Sequence, residues 1–88
     1  MGTDDVQQPD TKPGAYYVSA RDGPRHALCL GPFVNDHAAA LARVEAVRRL
    51  AADLDPRAHW FAFGTCRLDL PADLTALPAG RLNRIMEG

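Results

Sequence analysis

The chain has 88 residues, a net charge of −1 and 47% hydrophobic residues. A chain of this length forms a single domain, and its near-neutral charge does not indicate a nucleic-acid or membrane partner. No apolar run approaches the length of about 20 residues that a membrane-spanning helix needs. Because no export signal is visible near Met1, we expect a cytoplasmic protein whose two cysteines, Cys29 and Cys66, stay reduced.

The first part of the chain predicts a tail and a β-hairpin. Residues 1–14 are rich in Pro, Gly and Asp, which is typical of a disordered tail. Aromatic and β-branched side chains favour a first strand over residues 15–20. The Asp-Gly pair at 22–23 indicates a tight turn into a second strand over residues 25–30. The Gly-Pro pair at 31–32 is expected to end that strand.

The middle of the chain contains the clearest helix. Apolar residues recur at spacings of three and four over residues 37–54, which predicts one amphipathic helix. Asn35 or Asp36 is placed to cap its N-terminus, and Pro56 ends it. Residues 59–66 alternate as a third strand, and residues 67–88 carry leucines among Pro and Gly in an irregular C-terminal arm.

These elements predict an α+β domain of ββαβ form over residues 15–66, with one helix packed on a three-stranded, mainly antiparallel sheet. The connection through the helix makes strands two and three parallel to each other. We expect the order 2-1-3 with strand one in the centre, and 1-2-3 is the alternative.

One face of this sheet is more apolar than a water-exposed face should be. A solvated antiparallel sheet alternates apolar and polar residues, whereas the face opposite the helix carries a Trp, a Tyr and both cysteines. Such a patch is seldom left open in a monomer. The C-terminal arm, a second copy of the chain or another macromolecule would cover it. The residues predicted to form this contact face are Tyr17, Ala27, Cys29, Trp60 and Ala62.

The sequence favours a protein without catalytic, cofactor or metal sites. His26 and Cys29 lie three apart on a strand and so point to opposite faces, and there is no second close pair of ligands for zinc. No nucleophile motif surrounds Ser19 or either cysteine. The chain also looks too short to build a cavity of several hundred Å³.

Two kinds of partner are compatible with the apolar face. A protein partner requires only the excess apolar surface, so we expect a non-catalytic protein-binding module, with a homodimer as one form of it. The alternative is nucleic-acid binding, in which Tyr17 and Trp60 stack on bases and helix arginines contact phosphates. The arginines in question are Arg43, Arg48 and Arg49.

Several short runs of the chain are similar to one group of proteins. The runs are Tyr16-Tyr17-Val18, Arg21-Asp22-Gly23, Gly31-Pro32-Phe33, His37-Ala38-Ala39-Ala40-Leu41 and Phe61-Ala62-Phe63-Gly64-Thr65. They resemble small uncharacterised proteins of phages, plasmids and integrative elements in high-GC bacteria. The resemblance implies an adaptor or inhibitor that binds a host or element protein complex, host-defence complexes included. It assigns no role to any residue.

Overall fold

The computed structural model describes residues 9–87 and contains three strands, two α-helices and two short 3₁₀ helices. The sheet has the order β2-β1-β3, and β1 is antiparallel to both neighbours. The predicted α+β fold and the predicted strand order are therefore confirmed. In chain order the elements are β1 (Ala15–Asp22), β2 (Arg25–Val34), α1 (His37–Leu54), a first 3₁₀ helix (Pro56–Trp60), β3 (Ala62–Leu68), a second 3₁₀ helix (Leu74–Ala76) and α2 (Asn83–Glu87).

The two faces of the sheet differ in what covers them. Val18 and Leu30 are fully buried and pack with Val47 of α1, which defines the helix face. Because successive strand residues point to opposite faces, Tyr17 and Ser19 belong to the other face, called the outer face below. Partly buried side chains complete the core on the helix side, among them Phe33, Val44, Phe61 and Phe63.

The hairpin forms where the Asp-Gly pair predicts it. Asp22 pairs with Arg25 across the turn, and Gly23 has φ 59, a left-handed conformation that glycine adopts without steric cost. β2 then continues to Val34, so the predicted end of this strand at residue 31 is wrong. β2 is an edge strand, and a proline there removes no ladder hydrogen bond from a neighbour.

An irregularity in β2 changes which side chains share a face. Val18 pairs with Leu30, but Ser19 pairs with Leu28, so Cys29 is an extra residue opposite a continuous β1. Such a bulge shifts the alternation by one residue. Leu28 therefore lies on the outer face with Ser19, whereas simple alternation predicts it on the helix face with Leu30.

Helix α1 has the predicted bounds, His37–Leu54. Asp36 caps it, and its side chain accepts a hydrogen bond of 3.0 Å from the Ala39 N–H. Ala40 and Val47 are fully buried against the sheet, whereas Leu54 is 56% exposed at the last turn.

The third strand begins later than its sequence pattern predicts. Asp55 accepts the Arg57 N–H at 3.0 Å, and Pro56 occupies the first turn of a 3₁₀ helix that runs to Trp60. Proline suits that position because it has no N–H to satisfy and its φ is already helical. His59 and Trp60 therefore lie in the 3₁₀ helix, and β3 spans Ala62–Leu68.

The start of the described chain lies against α1 and the sheet. The predicted disordered tail, residues 1–14, falls mostly outside the described residues. Gly14 exchanges hydrogen bonds with Asn35, and the Asp10 N–H donates to His37 Nδ1 at 2.7 Å. Because Nδ1 accepts, Nε2 carries the ring proton and donates to Thr65 Oγ1 at 2.8 Å. His37 thus connects the N-terminal segment, the start of α1 and β3.

Candidate functional site

The five residues predicted as one contact face do not share a surface. Tyr17 is fully buried and Cys29 is 7% exposed. Ala27 pairs with Ala20, which places it on the helix side of the sheet. Ala62 is exposed on the outer face, opposite Arg21. Trp60 is 86% exposed, and it lies in the first 3₁₀ helix instead of in the sheet.

The C-terminal arm covers the centre of the outer face. The Tyr17 hydroxyl donates a hydrogen bond of 2.6 Å to the Pro78 carbonyl oxygen, across 61 residues of sequence. Burial raises the pKa of the Tyr17 phenol, with a smaller contribution from Cys66. Of the three covers that the sequence leaves open for this face, the arm is the one present over Tyr17.

The same arm also closes the free edge of β2. The Asn83 side chain bonds both the N–H and the carbonyl oxygen of Gly31, as a neighbouring strand would. Three N–H groups of the arm donate to β2 carbonyl oxygens: Gly80 to Gly31 at 3.2 Å, Arg81 to Leu28 at 2.9 Å and Leu82 to Cys29 at 2.7 Å. An edge strand that is paired or covered in this way is not a template for another chain.

The edge of β3 has no such cover among the described residues. The bonds of its backbone run to β1, and no other described segment donates to or accepts from that backbone. Natural edge strands are usually protected by Lys, Pro or a bulge. β3 reads Ala-Phe-Gly-Thr-Cys-Arg-Leu, and its pairing with β1 is continuous from Ala62 to Leu68. Arg67 is the one charged residue of β3, and its guanidinium donates hydrogen bonds to the Pro13 carbonyl oxygen and the Asp69 carboxylate.

The ladder geometry identifies the free backbone groups of β3. The Leu28 carbonyl oxygen points away from β1, because it accepts from the arm. In an antiparallel ladder alternate residues bond to opposite sides, so Ser19, the partner of Leu28, directs its N–H and C=O toward Gly64 of β3. The next residues on either side, Phe63 and Thr65, then direct their N–H and C=O outward, as does Arg67.

The outer face beside this edge has room for an approaching chain. A Cβ built on Gly64 meets no atom within 4 Å, and Ala62, two residues earlier on the same face, is exposed. Trp60 stands two residues before the strand. This region, the backbone edge of β3 together with Gly64, Ala62 and Trp60, is called the β3 edge below.

Two of the three helix arginines pair with the same carboxylate on the exposed side of α1. Arg48 Nη1 lies 3.2 Å from Glu45 and Arg49 Nε lies 3.6 Å from the same carboxylate. Arg43 is exposed on the same helix. Since Tyr17 is buried beneath the arm, it cannot stack on a base, and only Trp60 of the predicted pair is accessible.

The cysteines are unpaired, and each thiol has a raised pKa. Burial raises the pKa of Cys29, which Arg81 partly offsets. Burial also raises the pKa of Cys66, and a hydrogen bond with Ser19 acts in the opposite direction. A thiol with a raised pKa is a poor nucleophile, because the thiolate is the reactive form. Within residues 9–87, no three His, Cys, Asp or Glu side chains are grouped as a metal site would require.

No family model, curated protein or solved structure significantly matches the chain. A site can therefore be assigned only from the geometry of this molecule. In the part of the chain that the structure describes, no helix has the length and apolarity to cross a bilayer.

The sequence contained a signal for the β3 edge that the pattern analysis did not use. Residues 62–68 carry neither Lys nor Pro, the two residue types that most often protect an edge strand. The absence of Lys and Pro indicates an unprotected edge only when the strand order is known to place β3 at an edge of the sheet.

Proposed function

We propose that this chain is a non-catalytic protein-binding module that accepts an extended segment of a partner protein as an additional strand beside β3. The observation that carries the proposal is the difference between the two edges of one sheet. The arm of the chain itself closes β2, while β3 presents its backbone groups without a partner in the described residues. Strand addition to an exposed edge is a common mode of peptide recognition.

The β3 edge supplies both parts of such a contact. Outward N–H and C=O groups at Phe63, Thr65 and Arg67 give affinity through main-chain hydrogen bonds, which any extended partner can make. Specificity comes from side chains beside the strand. Gly64 leaves open space for a partner side chain, and Trp60 is of the residue type most enriched among the residues that dominate binding energy.

A substitution at Gly64 tests the proposal without disturbing the fold. Lysine at an edge strand opposes pairing with another chain, and the open space over Gly64 accommodates its side chain. Ala42→Lys is the matched control, because Ala42 is exposed on α1 and the variant carries the same added charge. Trp60→Ala is the second variant, expected to weaken binding while leaving the free energy of unfolding within about 0.5 kcal/mol of wild type.

A displayed library of extended random peptides is selected on the wild-type protein, and the affinity of selected peptides is measured by fluorescence anisotropy. We expect Gly64→Lys to weaken binding by about tenfold or more and Ala42→Lys to leave it within about twofold. Bound peptide should slow amide exchange at Phe63, Thr65 and Arg67. Equal affinity for both lysine variants, or protection confined to other strands, would falsify the proposal.

The nature of the partner is the second part of the proposal. We infer a protein of a host or mobile-element complex, for which the chain acts as an adaptor or inhibitor; the resemblance of its short motifs to proteins of such elements supports this. The unpaired state of Cys29 and Cys66 supports a reducing, cytoplasmic location. Self-association through β3 is the competing outcome. Sedimentation that shows a wild-type dimer and a Gly64→Lys monomer would identify a second copy as the occupant.

A further inference from the structure

A cavity of about 490 Å³ opens at the hairpin end of the sheet, away from the free backbone groups at the centre of β3. The hairpin, the residue that follows α1, the first 3₁₀ helix and the C-terminal arm all contribute to its wall. Its volume lies in the range of small-molecule sites. The expectation that so short a chain cannot build a cavity of several hundred Å³ is therefore wrong.

Three arginines from distant parts of the chain line this cavity. Arg25 comes from β2, Arg57 from the first 3₁₀ helix and Arg81 from the arm. Two carboxylates, Asp22 and Asp55, also line it, so that the wall has one positive charge in excess, whereas the whole chain has a net charge of −1.

One of the two carboxylates is already fully engaged. Both Asp55 oxygens accept hydrogen bonds from the Arg57 guanidinium, at distances between 2.9 and 3.2 Å. These bonds hold the pKa of Asp55 below its usual value. Arg25 and Arg81, by contrast, have no carboxylate oxygen within 4.0 Å among the residues that the structure describes. Neither arginine is therefore neutralised by an ion pair within the described residues.

Apart from His26, the remaining lining residues are apolar. Ala20, Ala27 and Phe61 line the cavity beside the arginines. A cavity lined by both apolar side chains and arginines is suited to a molecule with a flat apolar body and one anionic group. Arginine binds carboxylate and phosphate oxygens in a planar, bidentate geometry.

We propose that this cavity binds a small organic anion, a carboxylate or a phosphate ester, whose apolar body lies against Phe61 and whose charge is held by Arg25 and Arg81. None of the residues that define the β3 edge lines this cavity, although Phe61 lies between Trp60 and Ala62 in the chain. Gly64→Lys should therefore leave anion binding unchanged, so that failure of one proposal does not imply failure of the other.

The test is an NMR titration of the ¹⁵N-labelled full chain at low salt with four probes: phenyl phosphate, benzoate, inorganic phosphate and benzyl alcohol. Saturable shifts at Ala20, Ala27 and Phe61 are expected with phenyl phosphate or benzoate, and weaker shifts with the other two probes. The stronger of the two aromatic anions identifies which anionic group the site prefers.

The variant for this test is R25Q/R81Q, and R43Q/R48Q is its control with the same change in charge on α1. We expect the first to weaken binding by about tenfold or more and the second to leave it within about twofold. Thermal melts confirm that both variants fold. Shifts spread equally over all exposed arginines, or equal affinity of the two double variants, would show that only a diffuse attraction between the anion and the protein surface exists.

Discussion

Two glycines, identical in chemistry, should respond in opposite ways to the same substitution. Gly80 lies where the arm crosses β2, and a Cβ built on it stands 2.6 Å from the Cys29 carbonyl carbon, the Cys29 carbonyl oxygen and the Leu30 Cα. These are backbone atoms, which cannot rotate away as a side chain can. Gly80→Ala therefore forces the arm away from β2, and overpacking of this kind costs about 1–3 kcal/mol.

The second position provides the matched control. A Cβ on Gly64 meets nothing within 4 Å, and the backbone there does not have a positive φ. Glycine within a strand costs about 0.5–1 kcal/mol relative to alanine, because it loses more conformational freedom on folding. Gly64→Ala should thus stabilise the protein by up to that amount.

Urea denaturation followed by far-UV circular dichroism measures both changes. Trp60 fluorescence is unsuitable, since the indole is 86% exposed in the folded state. We expect Gly80→Ala to lower the free energy of unfolding by about 1–3 kcal/mol and to speed amide exchange at Arg81 and Leu82, whose N–H groups bond β2. A Gly80→Ala variant as stable as wild type, with the same exchange rates, would show that the arm does not dock on β2.

Three further predictions concern the arm, the first 3₁₀ helix and the thiols. Tyr17→Phe removes the hydroxyl bonded to the arm and should cost about 0.5–1.5 kcal/mol in urea denaturation; no loss would contradict the docking of the arm. Arg57 lowers the pKa of Asp55 in the folded protein. The ionised Asp55 carboxylate therefore stabilises the fold fully when the pH is above the ordinary pKa of about 3.9, and this stabilisation is lost as the pH falls through the lower pKa of the folded state. Acid unfolding of Asp55→Asn should lack that part of the pH dependence, and an unchanged acid profile would contradict it. Since burial raises the pKa of Cys29 and Cys66, iodoacetamide at neutral pH should alkylate the folded protein more slowly than the urea-unfolded protein. The partly exposed Cys66 should react before Cys29, and the reverse order, read by mass spectrometry, would argue against this burial.

The elements predicted correctly are those whose signals are local. The Asp-Gly turn and the α1 stripe depend on residues within a few positions of each other, and their bounds agree with the structure. Connection geometry makes β2 and β3 parallel to each other, but it left the order 1-2-3 open as an alternative to the observed order 2-1-3. Local information was therefore sufficient for the elements but did not decide their order.

The errors arise where a local rule depends on a tertiary fact. A proline ends a central strand but is tolerated in an edge strand, as Pro32 is in β2. Which strand lies at an edge is not a local property of the sequence. The alternating aromatic run from His59 to Phe63 resembles a strand, yet the Asp55 cap and Pro56 start a 3₁₀ helix first. The position of Trp60 therefore required the structure.

The contact face illustrates the same limit for function. Excess apolar residues on the outer face correctly indicated that Tyr17 needs a cover, but composition does not say which segment provides it. The cover comes from Pro78, 61 residues away in the sequence. Contacts between residues so far apart in sequence leave no signal in the local sequence pattern. The surface that stays exposed after the arm has docked could therefore not be predicted from the sequence.

The arm therefore has two consequences for the β3 edge. It buries Tyr17 and pairs with β2 through residues 80–83. The outer face around Tyr17 and the edge of β2 are therefore not accessible to a binding partner. β3 is then the edge at which the described chain offers unpaired backbone donors and acceptors. Unpaired edges without protective residues promote nonspecific aggregation, and a specific partner strand would remove that hazard by pairing with them. The feature that makes β3 a liability in an isolated molecule is thus the one that the proposed partner strand would use.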